Sequence, residues 1–114
     1  MTKKIYNKLV RDKVPGIIKL NRGVPKIIPL DETEFRNALK TKMTEEAQEL
    51  LAAKSAADVL NELADIAELI RSIAENYDLS FEAVENQRIN KLRERGGFAQ
   101  KLFLYITSLY IAFN

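Results

Sequence analysis

The chain has 114 residues, a length that fits one domain, and we expect residues 1–114 to form a single domain. Hydrophobic residues make up 46% and charged residues 30%, which excludes disordered, collagen-like and low-complexity chains. There is no cysteine and no histidine, so disulfides, thiolate zinc sites and catalysis by imidazole are excluded as well. Any catalysis must use carboxylates, lysines, arginines or a metal held by oxygen.

Charge is distributed unevenly along the chain. Residues 1–42 carry a net charge of +7, residues 43–86 a net charge of −9, and residues 87–114 a net charge of +4. An acidic block between two basic ones suits a cation site beside an anionic ligand, because metals need hard oxygen ligands and phosphates need guanidinium or ammonium groups. Solvated helix faces would produce the same pattern, and charge alone favours that simpler interpretation.

The first part of the chain predicts an irregular or extended lead-in over residues 3–14, followed by a short helix. Asp12 is the candidate N-cap, and Pro15 falls in the first turn, where its missing N–H costs nothing. The helix should end near Leu20, and residues 24–29 should be extended. The expected anchors of the lead-in are Ile5, Leu9 and Val10.

Two long helices are predicted next. Asp31 and Glu34 have capping-box spacing and open a helix over about residues 31–54, and Ser55 with Asp58 opens a second helix in the same way. The connection is so short that the two helices should pack antiparallel as a hairpin. The first apolar stripe comprises Phe35, Leu39, Met43, Leu50 and Ala53. The second comprises Val59, Leu63, Ile66, Ile70, Ile73 and Tyr77.

A third helix should begin at Ser80, carry Phe81, Val84, Ile89 and Leu92, and end at Gly96 and Gly97. The tail after it is almost entirely apolar and predicts a strand or a buried helix that completes the core or, as we favour, meets another subunit. The expected fold is therefore all-α: an antiparallel helix-hairpin bundle completed by oligomerisation, with a short extended N-terminal lead-in and an apolar C-terminal tail.

The longest nearly apolar run covers residues 102–113, which is too short to span a bilayer, and no apolar segment follows the charged N-terminus. We expect a soluble cytoplasmic protein without membrane contact.

The acidic residues become informative on a helical wheel. With Phe35 at zero, Glu46 lies at about 20° and Glu49 at about −40°, within the apolar stripe. With Val59 at zero on the next helix, Glu62 lies at about −60° and Asp65 at about −120°. Each pair has i, i+3 spacing, so an antiparallel hairpin is able to bring four carboxylates together.

Burying such carboxylates costs several kcal/mol per ion, so something must neutralise them. A divalent cation is one answer, and oxygen ligands without His or Cys select Mg²⁺, with Mn²⁺ as an alternative. The other answer is a salt-bridge network to Lys42, Lys40 or Arg88. Two acidic pairs on adjacent helices favour the metal.

The basic residues at the two ends of the chain allow two interpretations. Lys91, Arg93 and Arg95 would stabilise the end of the third helix, yet Arg95 also precedes two glycines whose backbone can approach an anion closely. Near the N-terminus, Lys8, Arg11 and Lys13 suit either a solvated basic segment or a phosphate clamp.

Four blocks in order resemble the superfamily of MazG and phosphoribosyl-ATP pyrophosphohydrolases, and more narrowly its small house-cleaning branch. They are residues 6–15 (YNKLVRDKVP), 42–49 (KMTEEAQE), 62–65 (ELAD) and 91–98 (KLRERGGF). The superfamily motif is E-x-x-E, a spacer and E-x-x-D, which matches Glu46/Glu49 and Glu62/Asp65 with twelve residues between them.

This resemblance implies an Mg²⁺-dependent enzyme that cleaves a (deoxy)nucleoside triphosphate into the monophosphate and pyrophosphate. The four motif carboxylates would bind the metal, and one of them, or Glu45, would orient or deprotonate the attacking water. By motif position Lys91 and Arg95, and less directly Arg11 and Lys13, would bind phosphates. A homodimer, often paired into a tetramer, is implied as well, with helices of two chains around each site.

Two other functions stay open at this point. Phosphoribosyl-ATP hydrolysis would use the same acidic site, although the block at residues 6–15 points to the house-cleaning branch. A helical module that binds nucleic acid or a protein partner is the non-enzymatic alternative. Nucleic acid is disfavoured because the basic residues are scattered over both termini, aromatic content is 8%, and no recognition-helix pattern is present.

Overall fold

Four helices form the regular secondary structure of residues 3–108, the part of the chain that the computed structural model describes. They are α1 (Val14–Leu20), α2 (Glu32–Ala52), α3 (Ala56–Asn76) and α4 (Phe81–Arg95). These residues contain no strand, so the all-α prediction is confirmed for them. They fall into two compact units that divide after Phe81, and the prediction of a single domain over residues 1–114 stays a prediction.

The lead-in has no regular structure, and the helix that follows it differs from the prediction at its start. Pro15 lies in the first turn of α1 as expected, but the N-cap is Lys13 and no side chain caps the helix. Asp12 is therefore not the cap. The N–H of Val14 instead donates to the carbonyl of Arg11 at 3.0 Å, so a backbone turn satisfies the group that a capping side chain would have bonded. Of the predicted anchors, Leu9 and Val10 are half-buried, whereas Ile5 is exposed.

Side-chain caps fix the starts of the two long helices. The Asp31 carboxylate accepts a hydrogen bond from the Glu34 N–H at 2.8 Å, and Glu34 returns the bond to the Asp31 N–H at 3.2 Å. In this second bond the Asp31 N–H donates and the Glu34 carboxylate accepts, so the two residues form the predicted capping box. The Ser55 hydroxyl accepts a hydrogen bond from the Asp58 N–H at 3.1 Å and so caps the start of α3. Three residues separate α2 from α3.

The far end of the hairpin is tied by polar contacts that make α2 and α3 antiparallel. Arg36, in the second turn of α2, donates to the side-chain oxygen of Asn76 at 2.6 Å and to its carbonyl at 2.9 Å. Asn76 also donates to Glu32 at 3.2 Å. The Arg36 guanidinium lies 4.1 Å from the centre of the Tyr77 ring, and Lys40 donates to the Tyr77 hydroxyl at 2.6 Å. The start of α2 thus meets the end of α3.

The interior of the first unit is small. The buried residues of the described chain are Leu39, Leu69, Ala74 and Glu46. The predicted α2 stripe is buried or half-buried throughout. In the second stripe, Leu63 and the C-cap residue Tyr77 are exposed, and the other four residues are half-buried. The buried residues of α3 are Leu69 and Ala74, which the predicted stripe does not include.

Much of the remaining apolar surface of the first unit faces outward. Leu51 and Leu60 on the hairpin are 89% and 69% exposed, and Leu20 at the end of α1 is 85% exposed. Residues 24–30 form neither a helix nor a strand, and they expose Val24 and Ile28. Such surface on a small hairpin is typical of a protein-protein interface.

In the second unit, α4 ends as predicted at Gly96, whose φ of 79° lies in the left-handed region that glycine adopts without strain. The apolar tail differs from the prediction, because residues 98–108 form neither a strand nor a helix and Leu102 to Ile106 are exposed. A strand needs a sheet partner, and residues 3–108 contain no other strand. The tail positions Leu109, Tyr110, Ile111 and Phe113 lie outside the described residues.

Arg36→Ala should destabilise the hairpin by about 1–3 kcal/mol, because it removes two hydrogen bonds and a cation-π contact from a partly buried site. Chemical denaturation followed by circular dichroism measures the change. Arg93→Ala, at an exposed arginine of α4, is the control and should change the unfolding free energy by less than about 0.5 kcal/mol. Equal effects of the two substitutions on the unfolding free energy would contradict a stabilising role of the Arg36 contacts.

Candidate metal centre

The predicted acidic residues lie on both sides of the hairpin connection. Helix α2 carries Glu45, Glu46 and Glu49 in its last two turns, and α3 carries Glu62 and Asp65 in its second and third turns. Because the helices are antiparallel and joined by three residues, these turns lie side by side. The pairing of the two motif halves thus follows from the shortness of the connection.

Three of the four predicted metal ligands come together. Glu46, Glu49 and Glu62 each offer a carboxylate oxygen, and the three oxygens lie within 4.8 Å of one another. Glu46 is buried, Glu62 is half-buried and Glu49 is exposed, so the cluster opens from the helix interface toward solvent. Asp65 is not one of the three mutually close groups.

Two oxygens of this cluster lack hydrogen-bond donors. The Oε2 atoms of Glu46 and Glu62 are both buried, and neither has a hydrogen-bond partner among the described residues. Glu46 itself is only 6% exposed. A buried carboxylate oxygen without a donor costs free energy, and two carboxylates bond to each other only when one of them holds a proton. The cluster therefore requires either a proton or a cation.

The electrostatics of Glu46 reflect this requirement. Burial is the main cause that raises the pKa of Glu46 to about 7, and the side chains of Glu62 and Glu49 and the charge of Asp65 raise it further. A carboxyl group with such a pKa holds its proton through much of the range below neutrality. A bound divalent cation would replace that proton.

Lys42 is the basic residue that the salt-bridge interpretation requires, and it satisfies the cluster only in part. Its ammonium lies 3.5 Å from Glu45 and 3.9 Å from Oε1 of Glu46. The second contact is at the outer limit of an ion pair and leaves Oε2 of Glu46 without a partner. Of the other candidates, Lys40 bonds Tyr77 and Arg88 pairs with Glu85.

The fourth motif carboxylate has a different partner. Arg11, from the lead-in, donates to Oδ1 of Asp65 at 2.6 Å. The structure thus places one predicted phosphate-binding residue directly beside the predicted metal ligands. Nothing in the local sequence signals this contact, since its partners are 54 positions apart.

The other predicted phosphate-binding residues lie elsewhere. Lys13 is exposed at the start of α1, in the first unit. Lys91 and Arg95 lie on α4 in the second unit, where residues 95–102 line a cavity of about 250 Å³ beside the paired glycines.

Comparison of the chain with models of known protein families, with curated proteins and with solved structures finds no match. None of the helices within residues 3–108 is long and apolar enough to cross a membrane.

The donor set fits a hard divalent cation. Glu46, Glu49 and Glu62 supply only oxygen ligands, which Mg²⁺ and Mn²⁺ prefer. The two buried oxygens without donors are the atoms that such an ion would satisfy. Asp65 lies close enough to influence the Glu46 carboxyl electrostatically, although it is paired with Arg11.

In the absence of divalent cations, the unfolding free energy should fall as the pH rises from about 4.5 to about 7. Over this range the folded protein keeps a proton on Glu46 that the unfolded chain has already lost, so deprotonation costs the folded state on the order of 1–3 kcal/mol. Denaturation in EDTA at a series of pH values measures the slope.

Glu46→Gln should flatten this dependence because glutamine does not titrate. Glu68→Gln, at an exposed position of α3, is the matched control and should keep the wild-type slope. Identical slopes for wild type and Glu46→Gln would contradict the assignment of the titration to Glu46.

Proposed function

We propose that this chain is an Mg²⁺-dependent nucleoside triphosphate pyrophosphohydrolase that converts a (deoxy)nucleoside triphosphate into the monophosphate and pyrophosphate. The observation that carries the proposal is the buried Glu46 carboxylate, which lies beside Glu49 and Glu62 and has one oxygen that no donor within residues 3–108 reaches. The E-x-x-E and E-x-x-D motifs, whose resemblance led to the prediction, are the source of all three glutamates.

Each residue of the proposed site would have a separate role in binding the metal, the substrate or the attacking water. Glu46, Glu49 and Glu62 would hold Mg²⁺, with Asp65 joining them, and the ion when bound supplies charge neutralisation and activation of water. Arg11 would bind a phosphate of the substrate. Glu45 or one of the cluster carboxylates would orient the attacking water, since Glu45 precedes Glu46 directly in α2. Lys42 would balance the negative charge of Glu45.

The proposal includes a homo-oligomer, either a dimer or a tetramer built as a dimer of dimers. The exposed apolar side chains of the hairpin and of the tail support it, since few large side chains are buried within the described chain itself. We expect such an enzyme of nucleotide pools to act in the cytoplasm and to have no nucleic-acid or membrane partner.

Pyrophosphate release from a panel of ribo- and deoxynucleoside triphosphates should require Mg²⁺ and stop in EDTA. Glu46→Gln and Glu62→Gln should each lower kcat/KM by at least about 100-fold, because each removes a charged ligand from the cluster. Glu68→Gln should keep wild-type activity, and circular dichroism should show that all three variants are folded.

Full activity in either cluster variant would contradict the proposed site. If the folded wild type releases no pyrophosphate from any nucleotide, the proposal is wrong in its substrate, and phosphoribosyl-ATP becomes the substrate to test.

Sedimentation equilibrium at micromolar concentration should give two or four times the chain mass of 13.0 kDa. The reason is that the exposed leucines of the hairpin would gain burial against a second copy. A monomer at 100 µM would contradict the oligomer.

A further inference from the structure

Among residues 3–108, Asp65 is the acidic motif residue that forms a short ion pair with a basic side chain. Its Oδ1 accepts the Arg11 hydrogen bond at 2.6 Å, whereas the three mutually close oxygens belong to Glu46, Glu49 and Glu62. The guanidinium occupies one oxygen of this carboxylate and neutralises its negative charge. The observed pair therefore weakens Asp65 as a metal ligand, because a divalent cation binds most strongly to carboxylates with uncompensated charge.

The Arg11–Asp65 ion pair is weak enough to dissociate when a competing anion binds Arg11. The Arg11 side chain is 58% exposed and Asp65 is 32% exposed, and exposed ion pairs contribute only about 0–1 kcal/mol. Arg11 belongs to the irregular segment before α1 and not to the hairpin, so its release leaves the helices in place. The guanidinium is also a strong bidentate partner for phosphate, and a polyphosphate therefore offers it a better site than Asp65.

We propose that Arg11 is a positioning residue that couples metal loading to substrate: it holds Asp65 until a polyphosphate anion binds the guanidinium and releases the carboxylate to the metal. This inference rests on the proposed function, since it concerns the same acidic cluster. Without nucleotide the cluster binds its cation through three carboxylates and more weakly. With nucleotide bound, the fourth carboxylate becomes available.

The test is Mn²⁺ binding to the full chain without nucleotide, measured by electron paramagnetic resonance. Arg11→Met should bind Mn²⁺ roughly twofold to fivefold more tightly than wild type, the factor that corresponds to losing an exposed ion pair. Arg22→Met, which removes an exposed arginine of the same unit, should match wild type, and Arg11→Lys should restore most of the wild-type affinity.

A double-mutant cycle distinguishes an effect of Arg11 through Asp65 from simple repulsion between the Arg11 charge and Mn²⁺. In the Asp65→Asn background, Arg11→Met should leave Mn²⁺ affinity unchanged, because the competed carboxylate is gone. The same tightening in that background would overturn the proposal, as would unchanged affinity of Arg11→Met when wild type binds Mn²⁺. Absence of Mn²⁺ binding by wild type would instead overturn the proposed function and this inference together.

A second measurement tests release by the anion. Metal-free pyrophosphate should shift the nuclear magnetic resonance signal of the Arg11 side-chain Nε–H, which is identified by its absence in Arg11→Lys. If the chemical shift of this signal does not change at saturating pyrophosphate, the proposed coupling between anion binding at Arg11 and release of Asp65 is wrong.

Discussion

The buried carboxylate of Glu46 is the constraint on which the account of this protein depends. Within residues 3–108, the buried residues are Leu39, Leu69, Ala74 and Glu46. An apolar residue in place of Glu46 would stabilise the hairpin without any desolvation cost. Retaining an acid next to two other glutamates makes sense if the cluster binds a cation, and the oxygens without donors mark where that ion is needed.

The hairpin provides the alignment that the cluster requires. Ser55 starts α3 immediately after α2, which sets the near end, and Arg36 with Asn76 ties the far end. With both ends fixed, α2 does not slide along α3, so Glu46 stays opposite Glu62. The hydrogen bonds at the two ends of the hairpin therefore keep the carboxylates of the cluster aligned. Arg11, from the segment before α1, reaches Asp65 from outside the hairpin.

Local signals in the sequence predict much of the fold and the centre of the site. Capping by Asp31 and Ser55, the stop at Gly96 and the carboxylates within the α2 stripe all follow from spacing along one helix. The features that the sequence does not predict depend on contacts between residues far apart in the chain. The burial of Leu69 and Ala74 depends on how α3 packs against α2, and the Arg11–Asp65 pair joins segments 54 positions apart. Residues 98–108 form no strand, since a strand needs a sheet partner and residues 3–108 contain none.

The most direct measurement of the central claim is a crystal structure at neutral pH with Mn²⁺, in which anomalous scattering locates the ion. If the cluster is a metal site, the anomalous map should show a peak bonded to carboxylate oxygens of Glu46, Glu49 and Glu62. A cluster without the ion at saturating Mn²⁺, with Lys42 paired to both oxygens of Glu46, would contradict the metal site. In that case the buried acid would serve the fold through an ordinary salt bridge.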